Sequence, residues 1–400
     1  MIGAASRAQE PADAAAARSP EAAGFWSVET ISTYPSFLGI QADWNRLVSE
    51  AGFTHPFLTH EWVRTWWESF GTGSRLQVVT VRRDGMLVGI APLIERQRRL
   101  YGLRVRCLEL MSNEHTPRAD LILAAERRAE ACRAIWLHLS ARRSGWDILR
   151  LAQLPDDSSN LAEMGCLAGR DGFLTGLWPS SQSPFLAVRG SWERYMKSLD
   201  AKYRSNLRNR MRRLEAHGAV SIETVEGGER LNGAMEEALR LEAAGWKGRA
   251  GSAIASCEQT RLFYTTLARR AARRGWLRLQ FLVAGDRRIA VHLSLRFGDR
   301  QFLLKPGYDP EYSGCSPGSL LCLLALQDAH ARGSVEFDFL GEADEWKLQW
   351  TRQVRPHSWL FVFSDRLRGR LIHSVKFRVA PLVGRWRCAL GAGRQDRRSK

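Results

Sequence analysis

The stretch from 277 to 331 constrains the fold most. Leu277–Ala284, Ile289–Phe297 and Gln301–Lys305 are apolar or alternating runs separated by Gly285-Asp286 and Gly298-Asp299. Short runs split by Gly-Asp pairs predict a three-stranded antiparallel meander. A Gly- and Pro-containing loop from Tyr308 to Ser316 follows, and the apolar run after Pro317 predicts a helix to about 331. A strand at Val335–Leu340, a short helix around 343–352 and a strand at Trp359–Phe363 complete the order.

The same order occurs earlier in the chain. Residues 40–70 read as helical: Trp44, Leu47 and Val48 share one face, and Trp62, Trp66, Trp67 and Phe70 continue at helical spacing. Strands are predicted at Leu76–Val81, Met86–Ile94, Val105–Met111 and Asp120–Leu123, then a helix at 126–142 and a strand at Asp147–Leu151. The meander turns at 84–85 and 285–286 lie about 200 residues apart, a repeat of whole-domain size. The fold class is therefore α/β, with two similar tandem domains, each a mixed, largely antiparallel twisted sheet flanked by helices. One enlarged domain with a divergent extension is the alternative. The Ala-rich residues 1–24 read as a disordered leader, 25–184 as the first domain with a crossover linker at 153–184, 185–365 as the second domain, and 366–400 as a basic tail.

Composition excludes several classes. Apolar residues make up 44% of the 400, which rules out a wholly disordered chain. No window reaches the ~18 consecutive apolar residues of a membrane span. The N-terminus has no basic segment leading into an apolar one, so no secretory signal is expected. Seven scattered cysteines with no C-x-x-C fit a reducing cytoplasm and argue against a disulfide framework or a zinc ribbon. No metal site is expected.

The net charge of +17 sits mostly in the tail. Residues 366–400 hold eleven Lys or Arg against one acid, Asp396, and so supply +10 of it. That distribution is no evidence that the whole protein binds nucleic acid. Within 366–390, basic residues alternate with Leu371, Ile372, Val375, Phe377, Leu382 and Trp386, a pattern suited to an anionic membrane surface or to a packed tail.

The chemistry points to the loop before the 317–331 helix. Ser316 can cap that helix, Pro317 fits its first position, and Gly318 admits a ligand close to the backbone. With Ser319 and Leu320, these residues place first-turn amides and the positive end of the helix dipole where a pyrophosphate could sit. Three groups are candidates for a catalytic base. Glu242 falls on an apolar helix face with Met235, Leu239 and Trp246, where it is either a base or a partner for Lys247 or an arginine. His292 alternates away from the apolar positions of its strand. Asp338 alternates away from Phe337 and Phe339, as a site residue or as a partner for Lys347. Lys305, Lys247 and Lys347 are candidate cations for substrate or oxyanion. The helix Lys202–Leu214 pairs an apolar stripe of Tyr203, Leu207, Met211 and Leu214 with a basic one containing Arg204 and Arg208, suited to a phosphorylated substrate or tRNA.

The meander, anion loop, helix and strand follow the order of the GNAT acyltransferase core. Lys202-Tyr-Arg-Ser-Asn-Leu-Arg208, Glu242-Ala-Ala-Gly-Trp-Lys247, Gly307-Tyr-Asp309, Ser316-Pro-Gly-Ser-Leu-Leu321, and Phe337-Asp-Phe-Leu-Gly341 with Trp346-Lys347 resemble the CelD-like acetyltransferases, relatives of the FemABX peptidyltransferases. The resemblance covers about 185–365. It implies direct acyl transfer from acetyl-coenzyme A, without metal, to an amine or hydroxyl of a saccharide or cell-envelope acceptor, or aminoacyl transfer from tRNA. Many GNAT enzymes protonate the departing thiolate with a tyrosine on the helix after the last core strand. No tyrosine lies between 342 and 352, so the substitute is Tyr308, Tyr312 or water. A non-catalytic ligand-binding protein on the same fold is the third reading.

Overall fold

A computed structural model describes residues 24–245, 251 and 253–379. The expected leader, Gly24 apart, and the tail beyond Val379 lie outside the described residues.

In the first half, β1 (Trp26–Ile31) precedes α1 (Tyr34–Gly39), α2 (Gln41–Glu50) and α3 (His60–Phe70). Then come β2 (Arg75–Leu76), β3 (Val78–Arg83), β4 (Met86–Ala91), β5 (Leu93–Leu100), β6 (Leu103–Leu110) and β7 (Ile122–Leu123). Next are α4 (Arg128–Ala141), β8 (Ile148–Pro155), α5 (Ser159–Arg170) and β9 (Leu174–Ala187). The second half has α6 (Trp192–Ser198), α7 (Ala201–Glu215), β10 (Val220–Val225), α8 (Leu231–Ala244), α9 (Glu258–Arg273), β11 (Leu277–Ala284), β12 (Arg287–Phe297) and β13 (Arg300–Tyr308). It ends with α10 (Pro317–Ala331), β14 (Glu336–Asp338), α11 (Glu345–Leu348), β15 (Val354–Phe363) and α12 (Leu367–Ser374). Among the described residues, an eleven-stranded mixed sheet runs β10-β11-β12-β13-β14-β9-β15-β8-β6-β5-β2, beside a four-stranded sheet β1-β3-β4-β7.

The Gly-Asp turns form as their sequence requires. Ala284 pairs with Arg287 and Phe297 with Arg300 across two-residue loops, and the leading glycines have φ of 63° and 59°. A side chain is strained at those angles, and glycine is not.

Prolines and tertiary pairing account for the departures from expectation. The single strand expected at 86–94 is broken at Pro92 into β4 and β5, which belong to different sheets, because proline has no N–H for the ladder. The helical stretch 40–70 is likewise two helices, interrupted near Pro56. The crossover linker expected at 153–184 is instead α5 and the 14-residue strand β9. Residues 174–184 of β9 pair with β15 and residues 185–187 with β14, so the expected boundary at 184/185 falls inside one strand. β15 comes from the second half of the chain, yet it lies between β9 and the first-half strand β8.

The halves also share a core. Trp62 of α3 meets Phe263 of α9 edge-on at 5.3 Å, and Phe57 meets Phe302 of β13 at 5.3 Å. Arg270 pairs with Glu68 at 2.7 Å across the same helix contact. Arg118, in the segment Thr116-Pro117-Arg118, is buried and pairs with Asp338 of β14.

Two neutral histidines surround that junction. Burial, and next the charge of Arg118, push His357 down to about 4 and His55 well below its usual value. Both are proton-free in the folded protein at pH values where the unfolded chain is protonated, so stability falls as pH drops from about 6.5 towards about 4. His357 alone removes roughly 3 kcal/mol over that range. Urea midpoints at about pH 7 and about pH 4.5 measure the loss, and His357→Leu reduces it. An unchanged pH slope in the variant contradicts the assignment.

The described part of the tail packs against the sheet. Phe377 contacts Phe361 and Phe363 of β15 and Trp178 of β9, at 6.1, 6.0 and 6.4 Å between ring centroids. Leu367 and Leu371 on α12 remain exposed. Among the described residues no helix is long and apolar enough to cross a membrane.

One feature of the second half opens the site. β13 and β14 run parallel but pair only where Arg300–Phe302 face Glu336–Asp338. Beyond that point β13 continues to Tyr308, while β14 ends and the chain turns through Leu340 and Gly341 at φ of 54° and 61°. The strands part, and the N-terminus of α10 lies at the gap.

Candidate functional site

The gap is a cavity of about 540 Å³. Leu303–Tyr308 line one wall, Phe339–Gly341 the opposite wall, and Ser316–Ser319 of the α10 terminus its end. Glu242 of α8, His292 of β12, and Trp346 and Lys347 of α11 complete the lining. The cavity thus brings together Glu242, His292, Lys305, Tyr308, Ser316, Gly318, Ser319 and Lys347. It does not include Asp338, Leu320, Arg204 or Arg208, and Lys247 lies outside the described residues.

The α10 terminus is built differently from the expected serine cap. Ser316 adopts the left-handed conformation (φ 49°, ψ 60°), and its side chain makes no cap hydrogen bond. That backbone turns the hydroxyl away from the first-turn amides. The Ser316 N–H donates to Ser313 O at 2.9 Å, Pro317 has no N–H, and the Ser319 N–H donates to Ser316 O at 3.0 Å. The Gly318 N–H is left at the cavity wall. A Cβ on Gly318 would meet Tyr308 Cδ1 at 3.7 Å, ordinary contact, so this position tolerates a small side chain and a large one would crowd the cavity end. No acidic residue occupies the first turn to neutralise the helix dipole. Left-handed non-glycine residues are costly and concentrate at ligand sites. Ser316 and Leu340 both line this cavity.

Glu242 is held in place. It is 3% exposed, and its Oε2 accepts the Ile254 N–H at 2.8 Å. α8 lies so close to β13 that a Cβ on Gly307 would fall 2.6 Å from Glu242 Cα. Glycine at 307 is therefore what lets the helix bring its carboxylate to the strand. Tyr264 is buried beside it, and burial, then the Glu242 charge, raise the Tyr264 hydroxyl's pKa. Lys305 lies over the Tyr264 ring at 5.4 Å. His292 is buried between Gln280 and Pro306 in the strand register.

A bulge in β13 was not foreseen. Leu293 pairs with Lys305 and Ser294 with Leu303, so Leu304 is the extra residue, taken out of the ladder at the cavity wall. No local sequence signal marks it, since Leu303-Leu304 reads as continuous strand.

Several candidates take structural roles. Asp338 is wholly buried and its carboxylate meets Arg118 and, at 2.9 Å, Arg355, while its Oδ1 also accepts the Leu340 N–H at 2.9 Å. Its partners are these arginines rather than Lys347. Lys347 gives its three protons to Leu340 O at 2.9 Å, Glu342 O at 2.7 Å and the Asp344 carboxylate at 2.9 Å. It fastens the turn beside the cavity instead of offering a charge to substrate. Leu320 is a core side chain. Arg204 donates to the carbonyls of Met196 and Lys197 at the end of α6, and Arg208 is exposed on α7. The Cys322 thiol is buried and its pKa raised well above the usual value by desolvation, which removes it as a nucleophile.

Residues 201–348 match the family model described as an acetyltransferase (GNAT) domain. The crystal structure of FemX superposes with a TM-score of 0.55 at 12% identity, covering 86% of this chain and 100% of that one. A conserved protein of unknown function from Bacteroides thetaiotaomicron gives 0.53 at 9% identity, covering 84% and 100%. The C-terminal domain of a protein described as a lysylphosphatidylglycerol synthetase from Agrobacterium fabrum gives 0.50 at 10%, covering 82% and 92%. At such identities the likeness is one of fold, and that fold is of the GNAT acyltransferase type. No curated protein matches the sequence.

Proposed function

We propose that the protein transfers an acyl group, acetyl in the first instance, from coenzyme A to an amine or hydroxyl by direct attack. One observation carries this reading: a carboxylate, Glu242, shares a cavity with a helix N-terminus, Ser316–Ser319, that has no acidic residue in its first turn. The residues fit the donor. The first turn of α10 suits a pyrophosphate, and the parted strands β13 and β14 leave room for an extended arm. Bound acyl-coenzyme A would supply an activated thioester carbonyl.

The chain's own groups do the rest. Glu242, oriented by Ile254, takes the proton from the attacking amine or hydroxyl. The backbone at the Leu304 bulge, which lines the cavity, is our candidate donor for negative charge developing on the carbonyl oxygen. Tyr308, at the wall against Gly318, is placed to return a proton to the leaving group. A saccharide or cell-envelope acceptor rests on the resemblance to CelD-like acetyltransferases, and a cytoplasmic location on the donor. Contact of the 366–390 segment with a membrane is compatible with the exposed Leu367 and Leu371.

A second reading replaces the donor with aminoacyl-tRNA. The FemX-like fold favours it, as does α7, which carries the exposed Arg208 and packs on the segment Pro310–Cys315 leading into the cavity. Thiol release from acetyl-coenzyme A, measured with a panel of amino sugars and hydroxylated saccharides, separates the two. The first reading predicts acceptor-dependent release. No release with any acceptor, alongside product from an aminoacyl-tRNA, replaces it with the second.

A further inference from the structure

A second cavity, of about 620 Å³, is lined mostly by the first half, with Gln259 and Trp359 from the second, and the acyl-transfer reading does not use it. Phe70, at its wall, stacks on His115 at 5.6 Å. His115 meets Tyr264 at 5.7 Å, and Lys305 of the first cavity lies over that ring. The two cavities are thus neighbours with aromatic rings between them.

Three arginines converge on it: Arg96 and Arg98 from β5 and Arg150 from β8. They surround one buried carboxylate, Glu109 of β6. Arg98 grips it with two bonds of 2.8 and 3.1 Å, Arg150 pairs with it, and Arg96 stands 3.8 Å away. Arg96 is fixed further by bonds to Ser74 Oγ and Phe70 O at 2.8 and 2.9 Å. Glu109 itself lies behind the lining, and the acid that does line the cavity, Glu114, is on the rim with its side chain 80% exposed. Concentrating more cations than carboxylates in a half-buried place is costly unless an anion joins them.

The hydrogen-bonding inventory points the same way. Trp66 Nε1, Ser69 Oγ, Arg150 Nε and Trp359 Nε1 are buried, have no protein partner, and all belong to residues lining this cavity. Three of the four can only donate, and the hydroxyl can donate too. Buried donors without partners are rare in folded proteins, and these four sit on residues around one cavity whose charged lining is mainly basic, surroundings suited to a group rich in acceptor oxygens. The excess positive charge matches a phosphate ester, which carries about −1.5 to −2 at neutral pH. Phe70, Trp66 and Trp359 add aromatic surface for a ring attached to it.

We propose that this cavity is a second ligand site, for a small molecule bearing a phosphate or pyrophosphate held by Arg96, Arg98 and Arg150. The inference stands independently of the acyl-transfer reading.

Calorimetric titration of the full chain with inorganic pyrophosphate tests it, using three variants. Gly318→Trp fills the space before α10 and leaves this cavity intact, so binding persists. Arg150→Gln removes one guanidinium while Arg98 still neutralises Glu109, and binding weakens about 10- to 100-fold. Thr72→Asp places a carboxylate on the lining at an exposed position that no core contact depends on, and weakens binding similarly. It decides the matter if Arg150→Gln fails to fold. Titration with a nucleoside diphosphate and with phosphatidylglycerol vesicles tells a soluble ligand from a lipid headgroup, and either is consistent with the site. No pyrophosphate binding by the unaltered protein overturns the proposal. So does binding abolished by Gly318→Trp, or binding untouched by Thr72→Asp.

Discussion

Glu242→Gln lowers acyl-transfer turnover by a factor of about 10²–10⁴, the usual worth of a positioned general base, and leaves the fold and donor affinity in place. The argument rests on what the substitution keeps. Glutamine has the same shape, and its amide oxygen still accepts the Ile254 N–H that Glu242 Oε2 takes at 2.8 Å. The close approach of α8 to Gly307 depends on backbone and is unaffected. What is lost is the ability to take a proton. On the proposed reading donor affinity belongs to the α10 terminus and stays the same, so the change is expected in kcat. His292→Gln is the comparator, because His292 lines the same cavity. Loss of turnover at His292 with Glu242→Gln fully active transfers the base role to the histidine.

Asp338→Asn destabilises the protein by about 3–5 kcal/mol, the cost of breaking a buried ion pair from one side. Arg118 is 5% exposed and loses its charged partner, whereas Arg355 keeps Glu336 at 3.1 Å. Because Arg118 belongs to the first half and Asp338 to the second, the loss falls on the junction between them. Urea unfolding reads the loss. The double variant Arg118→Met/Asp338→Leu recovers much of it, since an apolar replacement removes both charges together. Turnover per folded molecule is unchanged, for Asp338 lies outside the cavity lining. A variant of normal stability that has lost turnover contradicts this account and makes Asp338 a catalytic residue.

The second half was legible where local pattern and tertiary demand agree. β11 and α10 span the same residues in the structure as in the sequence reading, because alternation, Gly-Asp turns and a Ser-Pro start all point one way. β9 was not legible. Its Ser, Gly and Pro content reads as linker, and it is a strand because β14 and β15 supply ladder partners from far along the chain. The same reason hides the role of Asp338, whose arginine partner is 220 residues away. Glu242 and His292 are legible as polar groups on otherwise apolar or alternating elements and the α10 terminus as a Ser-Pro-Gly helix start, and the fold places them around one cavity. Lys347 was misjudged because its three acceptors, two of them backbone carbonyls, belong to a turn that sequence pattern does not describe. The left-handed Ser316 and the bulge at Leu304 are backbone features with no side-chain signature.

The central claim is that the end of α10 between β13 and β14 holds the acyl donor. Calorimetry with acetyl-coenzyme A, on the unaltered chain and on Gly318→Trp, tests it most directly. The account predicts saturable one-to-one binding that the variant loses while remaining folded. Equal binding by both proteins, or none by the folded unaltered chain, contradicts it.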